Sequence, residues 1–509
     1  MNFVTKSEIH NSKFDIVIEV LLILLIILTP IAFASQVLWA FSLMELGILL
    51  IIIIWALQRL IYRQGITMPR TDSDPVIPTQ ISALRNPKSI IPLTLALLSL
   101  FFIIVLLQMV PLPEGIVKLI SPKTYELRNQ LSAVVYPQTS NLKPQSQFIT
   151  LSFFPLATKV EFLKWLSLAG LFMFLLHWRL SDNRYRIPHH LILAVFLVAV
   201  FESLYGTFEF LTGHRHVLNL DYSKVITHVT GTFANRNCFA GYLLMAIPLS
   251  IGFFFSREAY RYGRPRDWRQ RLYSLDGKTL LVGFGLILMI LALLLSQSRA
   301  GIISLLFSFS LVALLFRDPT RAEKFSRAPV LIFGLAVLWA AWIGLDAAIS
   351  RFFSASEAFT GTRWPLWVGT FEILKDFPFV GSGLGTFTEV YSMHRTKHLV
   401  GLDIQAENDF LQLASEVGLI GAGLLLALFF YLFYKAISGI RSLAPGEPQR
   451  YIGLGGLVGI LALMLHSIVQ KNLQLPANAF LYTVMWAMVL LIALDPRSKR
   501  ITKRETPGE

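Results

Sequence analysis

The sequence holds one cysteine, Cys238, in 509 residues. Intrachain disulfides are therefore excluded, and so is any metal cage built on cysteine. Charge is also in short supply: 15% of residues are charged and 54% are hydrophobic, whereas average proteins carry about 25% charged residues. A soluble globular fold is excluded on that ground. No inverted internal repeat of the kind built into many secondary transporters is visible. What the chain has instead is a succession of apolar runs, each near the ~17–25 residues needed to cross a ~30 Å hydrocarbon core. They fall at 15–33, 36–62, 89–110, 159–178, 188–211, 237–256, 279–296, 300–316, 329–349, 412–436, 451–470 and 475–495. The expected fold class is all-α: a polytopic membrane protein of about twelve transmembrane helices with two long periplasmic segments.

A net charge of +14 would suit nucleic acid if it were gathered on one soluble face, but it is not. Arg257, Arg261, Arg264, Arg266, Arg269, Arg271 and Lys278 form one basic loop. Arg317, Arg321, Lys324 and Arg327 form a second, and Arg497, Lys499, Arg500, Lys503 and Arg504 close the chain. With alternating helices all three fall on one side, which the positive-inside rule makes cytoplasmic, both termini included. Attraction to anionic headgroups accounts for them, and no nucleic-acid partner is expected. The expected location is the bacterial inner (cytoplasmic) membrane, with the lipid bilayer as partner. Residues 32–34, Ala-Phe-Ala, resemble a signal-peptidase site. Glu8 and Asp15 are out of place in the positively charged region such a signal needs, so the first run is read as a span.

This topology divides the chain into N-terminal spans (1–110), an outer loop (111–158), a transmembrane core (159–349), a second outer loop (350–411), C-terminal spans (412–495) and a basic tail (496–509). Loops longer than ~12–15 residues are usually functional or disordered. The first is broken by Pro111, Pro113, Pro122, Pro137 and Pro144, while the second is rich in aromatic residues able to pack, from Phe352 to Tyr391. Within it, TRWPLWVGTFEILKDFP has apolar residues at helical spacing and a proline at its end. That predicts a short amphipathic helix on the membrane surface. FPFVGSGLGTF follows as a glycine-rich turn.

Residues able to do chemistry gather on the outer side. HVTGTFANRNCFAGYLL enters the sixth span with Asn235, Arg236 and Asn237, and LLSQSRAGIISLL is a tight outer connection with Arg299. GTRWPLW carries Arg363, and AENDFLQLASEVGLIG opens the tenth span with Glu407, Asn408 and Asp409. Each has a plain structural reading. Arginines at helix ends reach for headgroups, and Arg236 taken alone faces lipid. Asn235 and Asn237 are natural caps for the sixth span. Asp409 with Gln412 three residues on fits a capping box, which leaves Glu407 and Asn408 unused by the cap. Function rests on the set: chain-distant segments bring arginines, amides and a carboxylate to one face of one membrane.

In this order, GTFANRN, SRAG, GTRWPLWVGTFEILKDFPFVGSGLGTF and ENDFLQLASEVGLIG resemble the O-antigen ligase and polymerase superfamily, over roughly residues 200–440. LSFFPLATKVEFLKWLSLAG, just before, resembles the lead-in of bacterial exopolysaccharide members. The resemblance implies a membrane glycosyltransferase of cell-surface polysaccharide assembly. Such an enzyme moves a glycan from undecaprenyl pyrophosphate to a hydroxyl of a lipid, a growing glycan or a protein at the periplasmic face. It also implies that Arg299 and Arg363 hold the donor's pyrophosphate. A guanidinium fork matches phosphate oxygens, and a fixed cation stabilises charge growing on the leaving group. Arg236, Asn235, Asn237 and Asn408 are candidate substrate contacts beside them. No cofactor is expected and no metal either, since the outer segments hold no Asp-x-Asp pair and two arginines supply the charge.

The sequence departs from the ligases at Glu407-Asn408, where they carry histidine and asparagine. That histidine serves as base or positioning group for the acceptor hydroxyl. A carboxylate accepts the same hydrogen bond and the same proton but is the weaker base in water. The departure favours a polymerase-like or exopolysaccharide role over lipid A core ligation. His394 and His398, upstream in the same loop, are alternative imidazoles. A different class, a transporter of a small anion such as bicarbonate, is suggested by the ionisable Glu45, Glu202 and His466 inside spans. A carrier, however, gathers polar residues near the bilayer midplane, whereas here they gather at the outer surface.

Overall fold

An apolar run placed in hydrocarbon has no water to satisfy its amides and carbonyls, so it closes them on itself as helix. The computed structural model describes residues 6–64, 90–135, 148–181, 189–213, 216–218, 220–221, 228–262, 276–316, 363–394 and 405–495. The first helices are α1 (Lys6–Ile31), α2 (Leu38–Gln64), α3 (Ile90–Met109), α4 (Glu114–Ile120), α5 (Pro122–Val135), α6 (Pro155–Ser181) and α7 (His189–Thr212). Then come α8 (Arg236–Tyr262), α9 (Gly277–Leu295), α10 (Arg299–Leu315), α11 (Trp364–Asp376), α12 (Phe387–Tyr391), α13 (Asp409–Arg441), α14 (Pro448–His466) and α15 (Pro476–Leu494). Among the described residues, ten helices are long and apolar enough to cross a membrane: all but α4, α5, α10, α11 and α12. The described strands form two short antiparallel ribbons, β1 (Pro111–Pro113) with β2 (Phe148–Thr150) and β3 (His216–Val217) with β4 (Leu220–Asp221). The chain is an all-α polytopic membrane protein, as its apolar runs predict. The expected span at 329–349 lies outside the described residues, as do 317–327 and the tail from 496. The Ala-Phe-Ala motif is folded into the bundle, with Ala34 and Ser35 buried where α1 gives way to α2.

At the centre α8 and α14 run antiparallel in close contact. A methyl group at Gly252, Gly455 or Gly459 would meet main-chain atoms of the other helix, so glycine sets this spacing. The pairing fixes Arg236, at the start of α8, beside the turn that leaves α14 after His466. Hydrophobicity carries the eleventh span to residue 470, but the helix ends at His466 and releases the polar Gln470, Lys471 and Asn472 into that turn.

A second, smaller core lies at the loop-bearing end of the bundle. Leu366, Ile373, Phe377, Phe387 and Tyr391 pack there against Leu127 and Phe153. α11 is the amphipathic helix that the sequence predicts. Leu366, Thr370 and Ile373 are buried on one face, and Trp364 and Phe371 are exposed on another.

α13 is interrupted at Gly418, whose φ of 71° and ψ of 176° no helix accommodates. A break of this kind frees main-chain groups that then need partners. The glycine-rich turn supplies them. Ser382 N–H donates to Ser415 O at 3.0 Å, Gly383 N–H to Glu416 O at 2.9 Å, and Leu419 N–H to Pro378 O at 2.8 Å. Gln108, from the last turn of α3, locks the same junction. Its Nε2 donates to Val380 O at 2.5 Å and to Glu416 O at 2.9 Å, and its Oε1 accepts from Leu384 N–H at 3.0 Å. A Cβ at Gly418 would collide with the carbonyl of Phe379, and one at Gly381 with the backbone of Glu416. Gly418→Ala is therefore expected to cost about 2 kcal/mol or more, from the positive φ and the collision together. The measurement is the Tm of the purified protein in detergent, and an unchanged Tm would mean that α13 runs unbroken.

Candidate active site

The loop-bearing ends of α8, α10, α11, α13 and α14 meet at one place. The turn into α10 is tight enough that Gln297 takes a φ of 54°. Ser298 follows, and its Oγ lies 3.5 Å from His466 Nε2, while Asn472 Nδ2 donates to His466 Nδ1 at 3.3 Å. A ring that accepts at Nδ1 carries its proton on Nε2, so His466 donates to the residue just before Arg299. Arg299 itself is exposed, at the first position of α10.

Arg363, immediately before α11, donates through Nη2 to Gln470 Oε1 at 3.0 Å. Asn237 Nδ2 donates to the same oxygen at 3.1 Å. Gln470 Nε2 in turn donates to Glu407 Oε2 at 2.7 Å, and Lys471 Nζ pairs with Glu407 Oε1 at 3.1 Å. Arg236, lipid-facing if taken alone and a candidate substrate contact within the set, is half-buried, donates from Nη1 to His228 Nε2 at 2.7 Å, and lies within the field of both Arg299 and Arg363. Packing of α8 on α14 turns it inward. Glu202, buried in α7, accepts from Thr232 Oγ1 at 2.7 Å and from Thr232 N–H at 2.8 Å, which braces the loop leading to Arg236. Glu202 and His466 thus hold motif loops in place, and Glu45 lies in the field of Lys164 and Glu161.

The triplet Glu407-Asn408-Asp409 divides its roles differently from a capping box on Asp409. Asn408 is the N-cap of α13: its Oδ1 accepts from Leu411 N–H at 3.0 Å. Gln412 Oε1 reaches back to Ala406 N–H at 2.9 Å. The one-residue shift follows from Glu407, whose φ of 52° bends the chain so that Asn408 has the extended backbone a cap requires. Two non-glycine residues at positive φ, Gln297 and Glu407, therefore flank the cluster, a form of strain that gathers at functional sites. Asp409 is buried and anchors the opposite turn, its Oδ2 accepting from the N–H groups of Asn472 at 2.8 Å and Leu473 at 2.9 Å. Asp409→Ala strands both donors and is expected to cost about 3 kcal/mol. Asp409→Asn keeps an acceptor and should cost less, with the difference visible in Tm.

The remaining candidates separate. Asn235 Oδ1 accepts from Asn237 N–H at 2.8 Å, the capping role open to it from sequence. His394 bonds to Val390 O at 3.0 Å and Asp376 Oδ2 at 2.8 Å rather than to Glu407. His398 lies outside the described residues. Sequence reading missed Gln470 and Lys471, although the polar Gln-Lys-Asn triplet between two apolar runs was a signal for them. Among the described residues, no three His, Cys, Asp or Glu side chains gather as metal ligands.

An apolar cleft of about 450 Å³ starts at the cluster, at Asp409 and Leu473, and follows α13 as far as Leu432. Trp165, Phe172 and Trp486 contribute to its walls. Leu419 and Leu426 also line it and are exposed on the outside of the bundle, so the cleft opens sideways.

No curated protein matches the chain. The model that describes O-antigen ligase matches residues 284–426, from within α9 to the middle of α13. Arg299, Arg363, His394, Glu407 and Asn408 lie inside that stretch, and Arg236 and Gln470 lie outside it. Over this segment the chain is similar to O-antigen ligase.

Proposed function

We propose that this membrane protein is a glycosyltransferase that takes a glycan from undecaprenyl pyrophosphate and joins it to an acceptor hydroxyl at the periplasmic face. The observation that carries the reading is the gathering of Arg236, Arg299 and Arg363 around the turn after His466, the turn whose Leu473 lines, with Asp409, one end of the apolar cleft. With Lys471 they outnumber the carboxylates of Glu407 and Asp409, which suits a diphosphate. The cleft suits an isoprenoid tail, which cannot leave the bilayer cheaply because each CH₂ withdrawn costs ~0.8 kcal/mol. Both termini are then cytoplasmic, on the same side as the basic loops.

In this reading the acceptor hydroxyl donates to Glu407, which takes its proton as the oxygen attacks the anomeric carbon. The bond from that carbon to the phosphate oxygen breaks, and undecaprenyl pyrophosphate leaves with the electron pair. Fixed guanidiniums meet charge that grows only as the bond breaks, so they stabilise the transition state more than the ground state. Direct displacement inverts the anomeric centre. The arginines supply the neutralising charge, without a metal or a cofactor.

The test is reconstitution of the full chain in liposomes with an undecaprenyl-pyrophosphate oligosaccharide. Glutamate in place of histidine leads us to expect a longer glycan rather than a modified lipid A core. Coupled uptake of bicarbonate with no glycan transfer would overturn the reading in favour of an anion carrier.

A further inference from the structure

We infer that Gln470 is a positioning residue that holds the acceptor-side carboxylate, Glu407, in register with the donor-side guanidinium of Arg363. The inference rests on the proposed glycosyl transfer and adds to it a residue from the turn between the last two spans. That turn lies outside the stretch matched to O-antigen ligase.

Gln470 is buried, with 1% of its surface exposed. A primary amide is an acceptor at one end and a double donor at the other. Here the acceptor end takes Arg363 and Asn237, and the donor end gives to Glu407. Turning the amide over would set its NH₂ against two donors and its carbonyl against a carboxylate, so one orientation alone satisfies all three partners. Those partners come from α8, from the start of α11 and from the approach to α13. The turn itself is held from two sides. Asp409 accepts from the N–H groups of Asn472 and Leu473, and the Asn472 side chain donates to His466 and Ser467. Contact between α8 and α14 fixes the base from which it springs. Neither methionine, with no hydrogen-bonding amide, nor glutamate, with no donor, can make the same bridge.

The test uses the full-length protein in nanodiscs, undecaprenyl pyrophosphate as the binding probe, and surface-glycan yield in cells as the readout of transfer. Gln470→Glu keeps the side chain's length and its bonds from Arg363 and Asn237. It places a second carboxylate against Glu407 and adds a negative charge beside the diphosphate, so probe affinity is expected to fall by about tenfold or more. Adding Glu407→Gln to that variant restores the net charge and reverses the donor and acceptor ends of the bridge, and most of the affinity should return. Gln470→Met adds no charge. Its probe affinity should fall only a few-fold, while glycan yield drops by about tenfold or more because neither partner is held in place. A purely structural role predicts the opposite order, with Gln470→Met the poorer binder and no recovery in the double variant. Either result would overturn the inference. Wild-type protein that fails to bind the probe removes the donor reading itself. Wild-type binding with Gln470→Glu unaffected removes only the role of Gln470.

Discussion

Arg363→Ala is expected to lower glycan transfer by about 10²- to 10³-fold, with Arg299→Ala close behind, while both proteins still insert and fold. The size follows from where the charge develops. A pyrophosphate leaving group gains charge in step with bond breaking, and a cation already in place needs no reorganisation to meet it. Arg363 donates to Gln470 through one nitrogen, which orients the fork toward the cluster. Arg363→Lys keeps the charge but loses the planar fork, so it should recover only part of the rate. If Arg363→Ala retained wild-type transfer, the diphosphate would have to be held elsewhere. The readout is initial rate in liposomes, with proper insertion checked by Tm.

Glu407→Gln should lower transfer by about 10²- to 10⁴-fold, the range over which a positioned general base acts. Glutamine can still accept from Gln470 Nε2, so the bridge survives and the lost function is proton acceptance. Binding of undecaprenyl pyrophosphate should change little, which separates this variant from Arg363→Ala. Full activity would remove the carboxylate from the mechanism and return attention to an imidazole of the 394–398 loop.

The fold was legible because a bilayer permits few solutions. Apolar runs of sufficient length become helices, and those within the described residues do so near their expected places. The amphipathic α11 could be read from its spacing, and its stop from Phe377-Pro378. Arg299, Arg363 and Glu407 could be named from their motifs. Their companions could not. Gln470 and Lys471 reach the cluster only because α14 ends at His466 and Asp409 folds the following turn back, a long-range event with no local pattern. For the same reason the sequence left Arg236 open between a lipid-facing residue and a substrate contact: its environment depends on which helix α8 packs against. The cap on Asn408 was displaced by a backbone bend at Glu407, and a left-handed glutamate has no composition cue.

The seating of residues 378–383 on the broken α13 has a consequence for how the two halves of the reaction are aligned. The bonds there join main chain to main chain, so apart from the glycines that allow the close approach and the Gln108 amide they depend on chain length rather than on side-chain identity. The stretch works as a gauge. One extra residue between Asp376 and Pro378 would let the arginine-bearing helix slip by up to ~3.4 Å relative to the carboxylate, more than a hydrogen bond spans. Tuning for a new sugar or acceptor is free to alter what projects from this frame, but not the count of residues within it.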